Sequence, residues 1–98
     1  MAQYGVYRTA EGGLLLDCQT DLLEHLNTRL VVPLLPPDVA PQPAEFLNPR
    51  FVIQNAPCIM VTQFAASVPA TELQTPVADL SAEHFIIQRA LDMLLTGV

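Results

Sequence analysis

Apolar and polar residues alternate over short stretches through most of the chain, and a helical period replaces the alternation only near the C-terminus. Gln3 to Arg8 alternates around Tyr4 and Val6, Glu11-Gly12-Gly13 supplies turn chemistry, and Leu14 to Gln19 resumes in an extended pattern. Two such runs joined by a glycine-containing turn predict a β-hairpin. Leu30 to Leu35 predicts a third strand, β-branched at Val31 and Val32, with Pro33 tolerated near its end or at a sheet edge. Pro36, Pro37, Pro41, Pro43 and Pro49 then forbid continuous helix and predict a stiff, extended loop, in which Ala44 to Leu47 suits one helical turn. A second hairpin is expected from Phe51 to Gln54 and Cys58 to Gln63, turning at Asn55-Ala56-Pro57. A short strand is expected from Ala66 to Leu73, with Pro69 at an edge or bulge.

Ser81 has the chemistry of an N-cap, Ala82 to Leu95 reads as a helix, and Gly97 stands where a terminating glycine belongs. At about 100° per residue, Ile86, Ile87, Ala90, Leu91, Met93 and Leu94 span an arc of about 160°, widened to about 200° by Leu95. One packing contact needs about half of that, so the helix is expected to face both the core and an apolar partner. Phe85 falls on the opposite face, beside Gln88, Arg89 and Asp92. The elements together predict a mostly β (α+β) protein: a small antiparallel β-barrel or sandwich with a C-terminal α-helix.

Composition narrows this picture. The 98 residues suit a single domain over 1–98, and the chain is 51% hydrophobic but only 14% charged. That excess of apolar surface favours a homodimer. Four arginines and no lysine stand against ten carboxylates, a net charge of −6, so direct nucleic-acid binding is disfavoured and basic protein partners suit the surface better. No apolar run approaches the roughly 18 residues of a membrane span, and no basic stretch followed by an apolar core opens the chain, so a cytoplasmic location is expected. Cys18 and Cys58 read as free core thiols.

Candidate chemistry is sparse. His25 and His84 lack metal-spaced partners, and Gly12-Gly13 lacks the lysine and spacing of a phosphate loop. The pairs Asp17/Asp21 and Asp21/Glu24 read as solvated carboxylates around a strand end. No cofactor, no metal and no catalytic residue is expected, and the protein is read as a binder of proteins.

Asp17-Cys18-Gln19-Thr20-Asp21-Leu22-Leu23, running on to Arg29-Leu30-Val31-Val32-Pro33-Leu34, resembles the CcdB toxin family. The family pattern is Asp-x-Gln-(Ser/Thr)-Asp, two aliphatics, then Arg-x-Val-(Ile/Val)-Pro-Leu at this separation. Leu47-Asn48-Pro49 with Ile53, Ala66-Ser67-Val68-Pro69 and Val77-Ala78-Asp79-Leu80-Ser81 follow in the family order, and Val6-Tyr7 extends the likeness to the start. The resemblance implies an SH3-like barrel homodimer acting as the toxin of a type II toxin–antitoxin pair in plasmid maintenance. It implies a target, the A subunit of DNA gyrase trapped on cleaved DNA, and an antitoxin that neutralises the toxin with a disordered C-terminal segment. Carried over by motif, the gyrase-binding residues are Leu22, Leu23, Asp92, Leu95, Thr96, Gly97 and Val98, and the dimer contact involves Leu94, Gly97 and Val98. The family's gyrase poisons end Trp-Gly-Ile, whereas this chain ends Thr96-Gly97-Val98 and contains no tryptophan. Two other readings stand beside the toxin: a relative that keeps the protein-binding surfaces without poisoning gyrase, and an RNA-cleaving toxin on the same barrel, which the acidic charge disfavours.

Overall fold

The computed structural model describes residues 2–97. Its sheet contains β1 (Gly5–Arg8), β2 (Leu14–Asp17), β3 (Thr28–Leu35), β4 (Arg50–Ile53), β5 (Ala56–Met60), β6 (Ala66–Pro69) and β7 (Thr75–Asp79), followed by one helix, α1 (His84–Thr96). All pairings are antiparallel, in the order β4-β5-β3-β2-β1-β7, with β6 also paired to β3. The result is a curled half-barrel closed on one side by the helix, the mostly β fold that the pattern predicts.

Period-two alternation builds two cores from the same strands. Val6, Leu16 and Val32 point to the α1 side, where they meet Leu34, Ile53, Met60, Ile87 and Ala90. Their chain neighbours Tyr7, Leu15 and Val31 point to the other face, against Val68 and Leu73. β6 and the turn after it exist on that face because the second cluster needs a cover.

The proline and turn positions show how local sequence yields to pairing. Pro33 lies inside β3, not at its end. The Leu30 carbonyl accepts from Cys18 N on the β2 side, whereas the Pro33 carbonyl accepts from Val61 N on the other. On that other side β6 pairing stops at Val31 and β5 pairing starts at Leu34, so Pro33 stands at the junction of the two strands and its missing N–H forgoes only the reciprocal bond to Val61. The second hairpin turns at Gln54 and Asn55, both at positive φ (51° and 66°), and Ala56 and Pro57 join β5. A two-residue hairpin turn of this hand matches the sheet twist. Pro57 sits opposite Val52, one pair beyond the closing Ile53/Ala56 pair, so its ring faces away from the β4 ladder.

Further differences lie at the C-terminal end. The expected strand from Ala66 to Leu73 breaks after Pro69 into a 3-10 turn, and Thr75–Asp79 pairs with β1, a strand that Pro76 hides from local pattern reading. Ser81 does not cap the helix with its side chain. Its N–H is instead bound by the Asp79 carboxylate at 2.8 Å, and Leu80 N is tied to the Tyr4 carbonyl at 2.8 Å, so the chain stays with β1 through Leu80. A 3-10 turn fills Ser81–Glu83 and α1 begins at His84. Gly97 ends it in the left-handed conformation (φ 80°), donating to the carbonyls of Asp92 and Met93, as the C-terminal glycine predicts.

Candidate protein-binding surface

Two apolar projections stand out from the folded core. The first is the turn Asp21–Leu23. The Thr20 hydroxyl caps it by accepting from Leu22 N at 3.3 Å, and Gln3 N donates to Asp21 Oδ1 at 2.9 Å. Gln19 stands in for a length of strand: its Oε1 accepts from Leu30 N, while its Nε2 donates to the carbonyls of Leu23 and Thr28.

Beneath this turn lies a fully buried ion pair. Arg29 Nε donates to Asp17 Oδ2 at 3.0 Å, Nη2 lies 2.7 Å from the same oxygen, and Nη2 also donates to the Gln19 carbonyl at 3.1 Å. Asp21 Oδ1 lies 3.6 Å from Nη2. Asp17 and Arg29 have no exposed surface, which corrects the expectation that Asp17 is a solvated carboxylate, whereas Asp21 and Glu24 do face water. Nothing in the hydropathy pattern marks Arg29 as buried, although both residues fall within the conspicuous Asp17–Leu34 block.

On this platform the Leu22 side chain is 86% exposed, and Leu23, Leu26 and Leu30 are also exposed. An aliphatic side chain held in water by a hydrogen-bonded turn gains nothing for folding, which is the physical signature of a contact surface. The sequence marks Leu22 and Leu23 only through their block; Leu26 and Leu30 carry no local signal at all.

The second projection is the end of α1. Ile87 and Ala90 are fully buried, and Leu94, which lies about 20° from Ile87 around the helix, is 40% exposed because the final turn outruns the core. Leu95 is 76% exposed. Asp92, Thr96 and Gly97 are exposed as well, and Thr96 Oγ1 is occupied by the Asp92 carbonyl at 2.9 Å. Val98 lies outside the described residues. Phe85 projects into solvent from the polar face, stacked at 4.1 Å on His84.

Among the described residues, no hydrogen bond or ion pair joins the Asp21–Leu23 turn to Asp92–Gly97. The bonded path from the turn runs through Gln3 to its neighbour Tyr4, whose hydroxyl accepts from Gln88 Nε2 at 2.8 Å in the first half of α1. Leu95 lies about 10 Å further along the axis.

A model of the family described as CcdB protein matches residues 3–97. The chain belongs to the CcdB family. That membership points to the toxin half of a toxin–antitoxin pair. No curated protein matches the chain.

In this CcdB-family chain two buried thiols and one turn carboxylate depart from their ordinary pKa values. Burial, with Asp17 next to it, pushes the Cys18 thiol up to about 12, and burial also raises Cys58. Both thiols are free and protonated at neutral pH, the opposite of an activated nucleophile. The Asp79 carboxyl is lowered by the Ser81 N–H it accepts from. Among the described residues no three His, Cys, Asp or Glu side chains gather as metal ligands, and no helix is long and apolar enough to cross a membrane.

Proposed function

We propose that this CcdB-family protein is the toxin of a type II toxin–antitoxin pair that binds the DNA gyrase A subunit and traps it on cleaved DNA. The observation that carries this reading is the exposure of Leu22 and Leu23 on the Asp21–Leu23 turn and of Leu95 on the last turn of α1, the positions that the motif resemblance aligns with the family's gyrase-facing residues. Asp92, Thr96, Gly97 and Val98 complete the surface. The chain acts as a homodimer through Leu94, Gly97 and Val98, which covers the apolar end of α1 and brings binding residues from two copies into one surface. An antitoxin with a disordered C-terminal segment neutralises it. The action is binding rather than catalysis, and no cofactor takes part.

Thr96 stands where the family's poisons carry tryptophan. A buried aromatic anchor contributes about 2 kcal/mol or more to an interface, so gyrase binding is about thirtyfold weaker here than with tryptophan at that position. The test is a gyrase supercoiling and DNA-cleavage assay with the protein and its Thr96→Trp variant. Trapped cleavage complexes are expected from the natural protein at high concentration, and from the variant at about thirtyfold lower concentration. Absence of both cleavage complexes and A-subunit binding for either protein would remove gyrase as the target. A second reading, a protein-binding relative that no longer poisons gyrase, is favoured by the tryptophan-free terminus and predicts antitoxin binding with harmless overexpression.

A further inference from the structure

At the mouth of the half-barrel, between the β1–β2 turn, the end of β3 and the β4–β5 turn, lies an open cavity of about 200 Å³. Its walls are Leu14, Leu34, Ile53, Pro57 and Cys58, and Arg8 is its one charged residue. Small-molecule sites occupy roughly 300–1,000 Å³, whereas a cavity of about 150 Å³ already accepts a benzene-sized group. The volume therefore suits one branched aliphatic side chain, not a cofactor.

Arg8 is held at the rim by two neutral acceptors. Its Nη1 donates to the Gly12 carbonyl at 3.2 Å and its Nη2 to Gln54 Oε1 at 3.4 Å, and among the described residues it has no carboxylate partner. Both bonds leave further N–H groups on the guanidinium. Arg50 and Arg89 likewise show no carboxylate partner among the described residues, but of these three arginines Arg8 alone lines the apolar cavity, a local positive charge in a chain with ten carboxylates and four arginines. A carboxylate is the complementary group, and a charge-assisted bond to it is stronger than the two neutral ones.

We propose that this cavity is a docking site for a partner polypeptide that inserts a leucine-sized aliphatic side chain and sets an adjacent carboxylate on Arg8. The site lies on residues distinct from Leu22, Leu23 and the end of α1, so it stands whether or not gyrase is the target. The probe is acetyl-Gly-Leu-Glu-Gly-amide titrated into the ¹⁵N-labelled full-length protein, read by amide shifts of Arg8, Gly12, Gly13, Leu14, Ile53 and Ala56. Saturable shifts are expected with a dissociation constant on the order of 1 mM. Replacing Glu by Gln or Leu by Ala in the peptide should weaken binding about five- to tenfold. Arg8→Gln should abolish the Glu/Gln discrimination, and Ala56→Phe should block the cavity. Because the peptide comparisons use the natural protein, they decide the matter even where a variant folds poorly. Shifts at other residues, equal binding of the Glu and Gln peptides, or no saturation would overturn the proposal. Saturable binding of N-acetyl-leucine without binding of the peptide would overturn it in favour of a small aliphatic acid.

Discussion

The buried Asp17–Arg29 pair offers the sharpest test of how the fold supports its exposed turn. Asp17→Asn keeps the side-chain shape and an acceptor for Gln19 N, but leaves the Arg29 guanidinium in a fully buried site with its principal counter-charge gone. Nη1 already lacks a hydrogen-bond partner, so the remaining contacts are the Gln19 carbonyl and Asp21 at 3.6 Å. Removing one member of such a pair costs about 3–5 kcal/mol. A chain of 98 residues has a total stability of about 5–15 kcal/mol, so the loss is a large share of the whole. Expected shifts are about 15–30 °C in Tm, or about 2–3 M in the urea midpoint. Arg29→Met, which strands the carboxylate instead, should be at least as damaging. The double variant Asp17→Asn/Arg29→Met removes both charges and should recover at least about 2 kcal/mol relative to the sum of the singles. Urea denaturation followed by circular dichroism, at one fixed protein concentration because any self-association adds to apparent stability, measures all four corners. Single losses under about 1 kcal/mol, or a double variant no better than the sum of the singles, would refute the argument.

The remaining expectations concern the surface and the titrating groups. Leu22→Glu and Leu95→Glu should leave stability within about 0.5 kcal/mol, because both side chains are in water, while lowering A-subunit affinity at least tenfold in a pull-down or calorimetric titration. Unchanged binding would take these residues out of the interface. Cys18 and Cys58 should stay unreactive to a thiol reagent at pH 8 in the folded protein and react fully in urea; prompt reaction of both in the folded state would contradict their raised pKa values. Their burial also sets a sign at alkaline pH: above the ordinary value of 9.0 the unfolded chain loses thiol protons that the folded chain retains, so stability falls as pH rises above there, up to about 12 for Cys18. Asp79 has the reverse sign. Its carboxyl is lowered in the folded state, so its contribution is present above the ordinary value of 3.8 and is lost as pH falls through the lower folded value. The Tm difference between the natural protein and Asp79→Asn should therefore be full at pH 6 and vanish in strong acid; a difference independent of pH would show that the Ser81 contact depends on shape alone.

Much of the architecture is local and therefore legible along the chain. The β1–β2 hairpin is written in Glu11-Gly12-Gly13, and Gly12 does adopt a positive φ of 90°. The helix is written in its apolar spacing and its C-terminal Gly97, and the exposed Ile86 and Leu95 lie toward the two edges of its wide apolar arc. What escaped local reading depends on partners far away in sequence. Pro57 enters a strand because no strand lies on the side where it lacks an N–H, and Pro33 enters one at the junction where β6 pairing ends and β5 pairing begins. β7 forms because β1 offers it an edge, and Ser81 does not cap the helix because β1 holds the chain through Leu80 and a 3-10 turn delays α1 to His84. Asp17 and Arg29 look like surface charges until β2 and β3 set them side by side under the turn. For the candidate surface, the family blocks single out Leu22, Leu23 and the end of α1 by residue type. Only the tertiary structure decides that these apolar side chains face water, since exposure is set by where the core ends and not by hydropathy.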